Sequence, residues 1–504
     1  MNCGPLACQA SALNQLSYAL EMDCKVIQKI MMCKIFCTIF AGKLPRMKRI
    51  FTIVACALLA FSASAQDYSS YYSNLPIELN APALPVIPDY TVSLTDFGGV
   101  GDGVSDNTKA FEKAISALNK AGGGHLNVPA GIYLTGLISF KDRVDLHLEK
   151  NAMILFTPDK KQHIKKDKVA PGITASKRTD ISITGEGIID GNGEWWRGVK
   201  RSKVSDVEWN AFKRMGGTVT PKGDLWYPFD LKAFENIADT FEAQEKMRTH
   251  LIRFTDCERI LVQGVTIQNS PKFHLVPQRC KDVIIDDVTV RCPWNAQNGD
   301  GIDLMNCRRV LVVNSTVDVG DDGICLKGGA GESGVKAGPC EDILIRDNVV
   351  YHAHGGFVIG SEFSGGMNKI VVKENTFSGT DTGLRFKSAP ERGGKTSDLW
   401  ISDIYMSDIQ GEALVFETTY ADRPVGRDDA VAAESDSFVP EFTDIHISNV
   451  VCRDARVGVK AAGTIEMIHD ITLENCVFFY TEEAFRIDDP GMLQSKNVQY
   501  ITYR

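Results

Sequence analysis

The chain is predicted to be all-β, a single-stranded parallel β-helix with a capping helix at its N-terminal end. Three observations carry this. A strand-like phrase recurs along the chain, the recurrences are one coil apart, and no helical stretch separates them.

The phrase reads DCERILVQGVTI from Asp256, RCKDVIIDDVTV from Arg279, NCRRVLVVNSTV from Asn306 and PCEDILIRDNVV from Pro339. It returns without the leading cysteine as NKIVVKENTF, SDLWISDIYM, TDIHISNVVC and HDITLENCVF, and earlier as TDISITGEGII. Each copy alternates apolar and polar residues with β-branching, the period of a strand, and ends near Gly, Asn or Asp. The first apolar residues are Ile181, Ile260, Val283, Val310, Ile343, Ile370, Leu399, Ile445 and Ile471. Their steps are 79, 23, 27, 33, 27, 29, 46 and 26 residues, so most coils take 23 to 33. Leucine-rich repeats would need Leu at fixed short offsets, and propeller blades need about 40 residues per repeat.

Cys257, Cys280, Cys307 and Cys340 occupy one place in the phrase. Stacked coils would align them as an inward ladder of small apolar side chains rather than as disulfides. The open N-terminal end of such a stack must be covered. SDNTKAFEKAISALNKAGGG from Ser105 predicts that cover: Asp106 or Asn107 as N-cap, Phe111, Ile115 and Leu118 on one face, Gly122 as stop.

Composition places the folded part among ordinary globular chains: 44% hydrophobic, 24% charged, 44 Gly and 19 Pro in 504 residues. A net charge of -9 argues against a nucleic-acid partner. An acidic polysaccharide would need a local cluster of cations set against that sign. From Met47, MKRIFTIVACALLAFSASAQ has the basic start, apolar run and A-x-A site of a signal peptide over residues 47–65. Residues 1–46 are expected to be an upstream extension from a mis-assigned start, 66–91 an extended lead-in, and 92–504 the β-helix with an insertion at about 191–250. The expected destination is the periplasm or the exterior, with no membrane span.

The insertion holds four of the six Trp (Trp195, Trp196, Trp209, Trp226) and a basic patch of Arg197, Lys200, Arg201 and Lys203. Two readings stay open: sugar stacking with carboxylate binding, or a loop packed on its own aromatics.

Carboxylates concentrate in WNAQNGDGIDLMNCRRVLVVNSTVDVGDDGICLKGG, residues 294–329. Asp300 precedes Asp321 by 21 residues, about one coil, so the two are expected one above the other, with Asp322 beside them. Converging carboxylates raise one another's pKa, which suits acid-base work, although calcium binding or turn chemistry would use the same residues. The next coils carry His354, then Arg385 and Lys387. Asp, His and a pair of cations thus follow one another along one face, the arrangement a polyanionic substrate would need.

NGDGID at 298–303, GDDGICLKGG at 320–329, AHGG at 353–356 leading into IGSE, and RFK at 385–387 together resemble glycoside hydrolase family 28, the polygalacturonases. The lead-in VSLTDFGGVGDGVSDNTKAFEKAI and GEGIIDGNGEWW are similar to the same superfamily. The resemblance implies a right-handed parallel β-helix and inverting hydrolysis of α-1,4-linked galacturonate in pectin. It makes Asp321 the acid, Asp300 and Asp322 the pair that holds and deprotonates water, and His354 the neighbour that tunes the acid. Arg385 and Lys387 would bind galacturonate carboxylates, and Asn298 would bond the sugar or position Asp300. Asp303 and Lys327 are read as structural, and no metal or other cofactor is implied. One extra residue between His354 and Ile359, and the ending Gly-Ser-Glu, resemble the exo-acting branch. The alternatives are a rhamnogalacturonan or xylogalacturonan hydrolase of the same family, a calcium-dependent pectate lyase, and a non-catalytic β-helix adhesin.

Overall fold

The computed structural model describes residues 67–165, 168–230, 240–420 and 436–502. The segments expected to be a signal peptide and an upstream extension lie outside the described residues. A short 3₁₀ turn spans Ser69–Tyr72. From Asn74 onward the chain is a right-handed parallel β-helix.

Its register follows the sequence repeat residue for residue. Ile181 pairs with Ile260, and then Val283, Val310, Ile343, Ile370, Leu399, Ile445 and Ile471 follow, each in parallel register with the one before. All nine are fully buried. Full burial of such a side chain contributes roughly 1.5–3 kcal/mol, and a one-residue slip would turn the whole column outward. That is why the alternating pattern alone specifies the stacking.

A second ladder runs through Ile188–Asp190, Thr266–Gln268, Thr289–Arg291 and Thr316–Asp318. A third runs through Ile252–Thr255, Leu275–Gln278, Ile302–Met305, Ile324–Lys327, Phe357–Ile359 and Leu384–Lys387. Between the first two ladders the chain turns through left-handed residues, among them Asp287 (φ 54°), Asn314 (54°), Asp347 (56°), Asp403 (55°) and Asn449 (54°). Asp and Asn tolerate that conformation better than other side chains, which explains their recurrence at the end of the phrase.

Cys257, Cys280, Cys307 and Cys340 are free thiols buried in the core, as the ladder reading expected. The predicted cap helix, α1, spans Thr108–Lys120 with Ala110, Phe111, Ala114, Ile115 and Leu118 buried against the first coils. Asn107 occupies the N-cap position, but its side chain ties Val100 and Leu134 together instead of capping. Asp106 does the capping work, accepting from the Thr108 amide at 2.9 Å. The lead-in lies lengthwise along the coils. Its amides at Asn80, Ala83 and Val86 donate to Asp342, Asp282 and Asp180, carboxylates on every second coil.

The insertion folds as a small module of its own. It holds a three-stranded antiparallel sheet of Val199–Lys200, Thr218–Val219 and Leu225–Tyr227, a helix α2 at Asp206–Arg214 and a short helix α3 at Phe241–Lys246. Trp209 and Trp226 pack with Val204 in its core, and Trp196 is fully buried. Trp195 lies against Phe229. The aromatics therefore hold the insertion together, which settles that half of the open reading in favour of packing.

Candidate active site

The third ladder ends each coil at one edge of the β-helix, and the residues just before its strands build the site. The register pairs Ile302 with Ile324, a step of 22. Asp322 is therefore in line with Asp300, and the Gly301 amide bonds the Asp322 carbonyl at 2.9 Å. The expectation that Asp321 sits above Asp300 is off by one residue, because the 21-residue spacing is not the coil's register. Asp321 falls in line with Gly299, and its Oδ2 accepts from the Asn298 amide at 3.1 Å.

The glycine after each aspartate is required. A Cβ on Gly301 would stand 2.6 Å from the Gly323 carbonyl oxygen, and one on Gly323 would stand 3.0 Å from the Gly355 and Gly356 carbonyls. Only Asp-Gly lets neighbouring coils close up and bring their carboxylates together.

Asn298, Asp300, Asp321, Asp322, His354 and Lys387 line one cleft, and Arg385 reaches it through its contact with Asp322. His354 Nδ1 lies 2.9 Å from Asp321 Oδ1. Lys387 Nζ donates to Asp322 Oδ2 at 2.8 Å, and Arg385 stands 3.5 Å from Asp322 Oδ1. Asn298 positions Asp321 through its amide, not Asp300, and its own side chain is held by Arg248 at 2.9 Å. Lys327 sits beneath, 3.6 Å from Asp300 and 3.3 Å from Asp303. Asp321 is the most open of these carboxylates, with 17% of its side chain exposed against 4% for Asp300 and 2% for Asp322.

Burial, with Asp303 and Asp321 alongside, pushes the Asp300 carboxyl well above its ordinary range. Burial likewise pushes Asp303 up to about 7, against the pull of Lys327. Burial also acts on Asp321 and Asp322, yet both end below the ordinary range. His354 holds Asp321 down, with help from Lys387 and Lys327, and Lys387 with Arg385 holds Asp322 down. The carboxyls thus divide into a raised pair, Asp300 and Asp303, and a lowered pair, Asp321 and Asp322.

The sequence reading left Lys200 and Lys203 open between carboxylate binding and a self-packed loop, and it did not single out Arg248 or Tyr420. Lys203 Nζ comes within 2.5 Å of His354 Nε2, and Lys200 lies in the same wall, its pKa lowered by burial against the pull of Asp321. Both belong to the basic patch, whose signal was present without a partner. Arg197 and Arg201 of that patch do not reach the cleft: Arg197 is buried on Ser270 and Asn269, and Arg201 pairs with Asp206. Arg248 gave no motif at all. Tyr420 lies under Arg385 and Lys387, with their charges 5.5 and 5.0 Å from its ring centre. The cleft measures about 1150 Å³ and has one wall built from the insertion, including Thr220, Lys222, Phe241 and Glu245. That exceeds an ordinary small-molecule pocket, roughly 300–1,000 Å³, and suits more than one sugar unit.

Asp321, Asp322 and His354 present atoms within 4.8 Å of one another, a separation that could hold a cation. Lys387, Arg385 and Lys203 already fill that side, so a divalent ion would have to displace three positive charges. The donor set does not fit a metal.

Residues 199–427 match the family model described as glycosyl hydrolases family 28. An exo-poly-alpha-D-galacturonosidase from Dickeya chrysanthemi is 28% identical over 383 residues, 72% of this chain and 62% of that protein. The chain thus spans less than two thirds of that relative's length. Among solved structures, a hyperthermoactive exopolygalacturonase from Thermotoga maritima aligns with TM-score 0.67 and 27% identity, covering 84% of this chain and 94% of that one. A family 28 exopolygalacturonase from Yersinia enterocolitica aligns with TM-score 0.61 and 23% identity over 82% of this chain and 78% of its own, a likeness of fold.

Proposed function

We propose that this chain, whose residues 199–427 match the model of glycosyl hydrolases family 28, hydrolyses α-1,4-linked galacturonate bonds of pectic polygalacturonan, with inversion and from a chain end. The observation that carries the reading is the buried aspartate group set under a lid of cations, Lys203, Arg385 and Lys387, in a protein of net charge -9. Such a local reversal of sign recognises a polyanion, and paired carboxylates supply acid and base.

In the proposed reaction a water attacks the anomeric carbon from the face opposite the leaving oxygen. Asp300 and Asp322 hold that water, and Asp322, kept ionised by Lys387 and Arg385, takes its proton. Asp321, the most open carboxyl, protonates the departing glycosidic oxygen. It must first gain a proton. Galacturonate carboxylates pairing with the cleft's lysines would cancel the field that holds Asp321 ionised, so binding itself would charge the acid. His354 would tune that proton, and Asn298 with Arg248 would hold Asp321 in place.

The insertion wall supports exo action, because it closes one flank of the cleft that a long polymer would otherwise cross. Export through the segment 47–65 follows from the same reading, since the polymer is extracellular. The test is to incubate the protein with polygalacturonate and separate the products over time. Galacturonate monomer from the first time point is expected. A ladder of oligomers would mean endo action, unsaturated ultraviolet-absorbing products would mean a lyase, and no product would sink the reading.

A further inference from the structure

We propose that Lys203, delivered by the insertion, is a positioning residue that fixes the tautomer of His354 and so the hydrogen bond His354 makes to Asp321. The inference rests on the hydrolytic reading above.

The geometry leaves little choice. Lys203 Nζ lies 2.5 Å from His354 Nε2. An ammonium has three donors and no acceptor, so Nε2 must offer its lone pair. The ring proton then sits on Nδ1, which faces Asp321 Oδ1 at 2.9 Å and donates to it. A chain of two donated hydrogen bonds, Lys203 to His354 to Asp321, runs from the insertion into the aspartate group. The competing arrangement would place the proton on Nε2 toward Asp381 Oδ2. That oxygen is 3.7 Å away, beyond hydrogen-bond reach, on a side chain 58% exposed. Asp322 from the preceding coil also presents a carboxylate oxygen within 4.8 Å of the ring.

The consequence for chemistry is specific. With Nε2 committed to Lys203, the ring can meet Asp321 only with its Nδ1–H. That donated bond fixes the orientation of the Asp321 carboxyl, on which proton delivery to the leaving oxygen depends. The insertion would then shape one wall of the cleft and also complete the acid's hydrogen-bonded surroundings. A chain in which the insertion is displaced would retain the aspartates and lose the tautomer.

Two measurements test this on the purified full chain. Nitrogen-15 spectra of the histidine rings, with His354 assigned from an H354Q sample, should show the Nδ1–H tautomer in the wild type and a mixture of forms in K203M. Initial rates on polygalacturonate should fall roughly tenfold or more in kcat for K203M, with KM changed less than about twofold, in line with losing part of a general acid's contribution. K203R should restore most of the rate. An Nε2–H tautomer in the wild type, or K203M with the wild-type kcat, overturns the proposal. The two readings fail separately. The Nδ1–H tautomer in a protein inert on polygalacturonate would strike the substrate assignment, whereas turnover with the wrong tautomer would strike Lys203. Because the first measurement uses the wild type, it holds even if K203M folds poorly.

Discussion

Replacing Lys387 by methionine keeps most of the side chain's length and removes one buried charge. Its Nζ donates to Asp322 Oδ2 at 2.8 Å, with the two side chains 6% and 2% exposed. Breaking such a pair from one side costs roughly 3–5 kcal/mol, because the remaining charge is left buried. Arg385 stays 3.5 Å from the other oxygen, so the low end applies, about 3 kcal/mol. Titration should change as well. Burial pushes Asp322 up, and Lys387 is the largest influence pulling it down, ahead of Arg385 and Lys327. Without Lys387 the carboxyl rises. A group held below its unfolded pKa contributes stability that is present above roughly pH 4 and lost as pH falls through the folded value. The K387M deficit should therefore be largest at neutral pH and shrink toward acid. As the proposed base, Asp322 works only when ionised, so the acid limb of kcat/KM should move to higher pH. If the lost 3 kcal/mol appears in the transition state, the rate falls by about two orders of magnitude. Reducing-end release from polygalacturonate between pH 4 and 8, paired with urea unfolding at the same pH values, measures both effects. An acid limb that stays put together with an unchanged urea midpoint would refute the pairing argument.

Asp321→Asn should lower kcat by roughly 10² to 10⁴, with KM and the circular dichroism spectrum little changed; full turnover would favour a non-catalytic binding role. Asp303→Asn tests the buried proton. The Asp303 pKa is pushed up to about 7, above its unfolded value, so the wild type loses stability as pH rises from about 4 to 7 and the variant should lose less. Parallel urea-midpoint curves for the two proteins would contradict that. Phe386→Ala removes a fully buried ring stacked on Phe416 at 4.4 Å, directly between Arg385 and Lys387. Unfolding should become easier by roughly 3–5 kcal/mol, and a loss under about 1 kcal/mol would mean the stack is not part of the rigid core.

The coils were readable because their information is local. A period-2 pattern, a left-handed corner residue and the distance to the next copy are all written in consecutive residues. Parallel stacking then converts them into the column from Ile181 to Ile471 without further input. The cap helix was legible for the same reason, although the exchange of roles between Asp106 and Asn107 was not, since it turns on which side chain reaches Val100 and Leu134.

The site divides along the same line. Asp300, Asp321, Asp322, His354, Arg385 and Lys387 lie on successive coils, so sequence order by itself determined that they share a face. Tertiary structure decided what depends on angstroms and on distant segments. The 22-residue register aligned Asp300 with Asp322 and turned Asp321 toward Asn298. Neighbouring cations, working against a burial the carboxyls share, set which of them are held down. An insertion more than a hundred residues upstream brought Lys203 onto His354 and turned its tryptophans inward. A repeat propagates through neighbouring coils and can be counted along the chain, whereas an insertion folds back by packing its own core, and nothing in its local pattern states where its cations will come to rest.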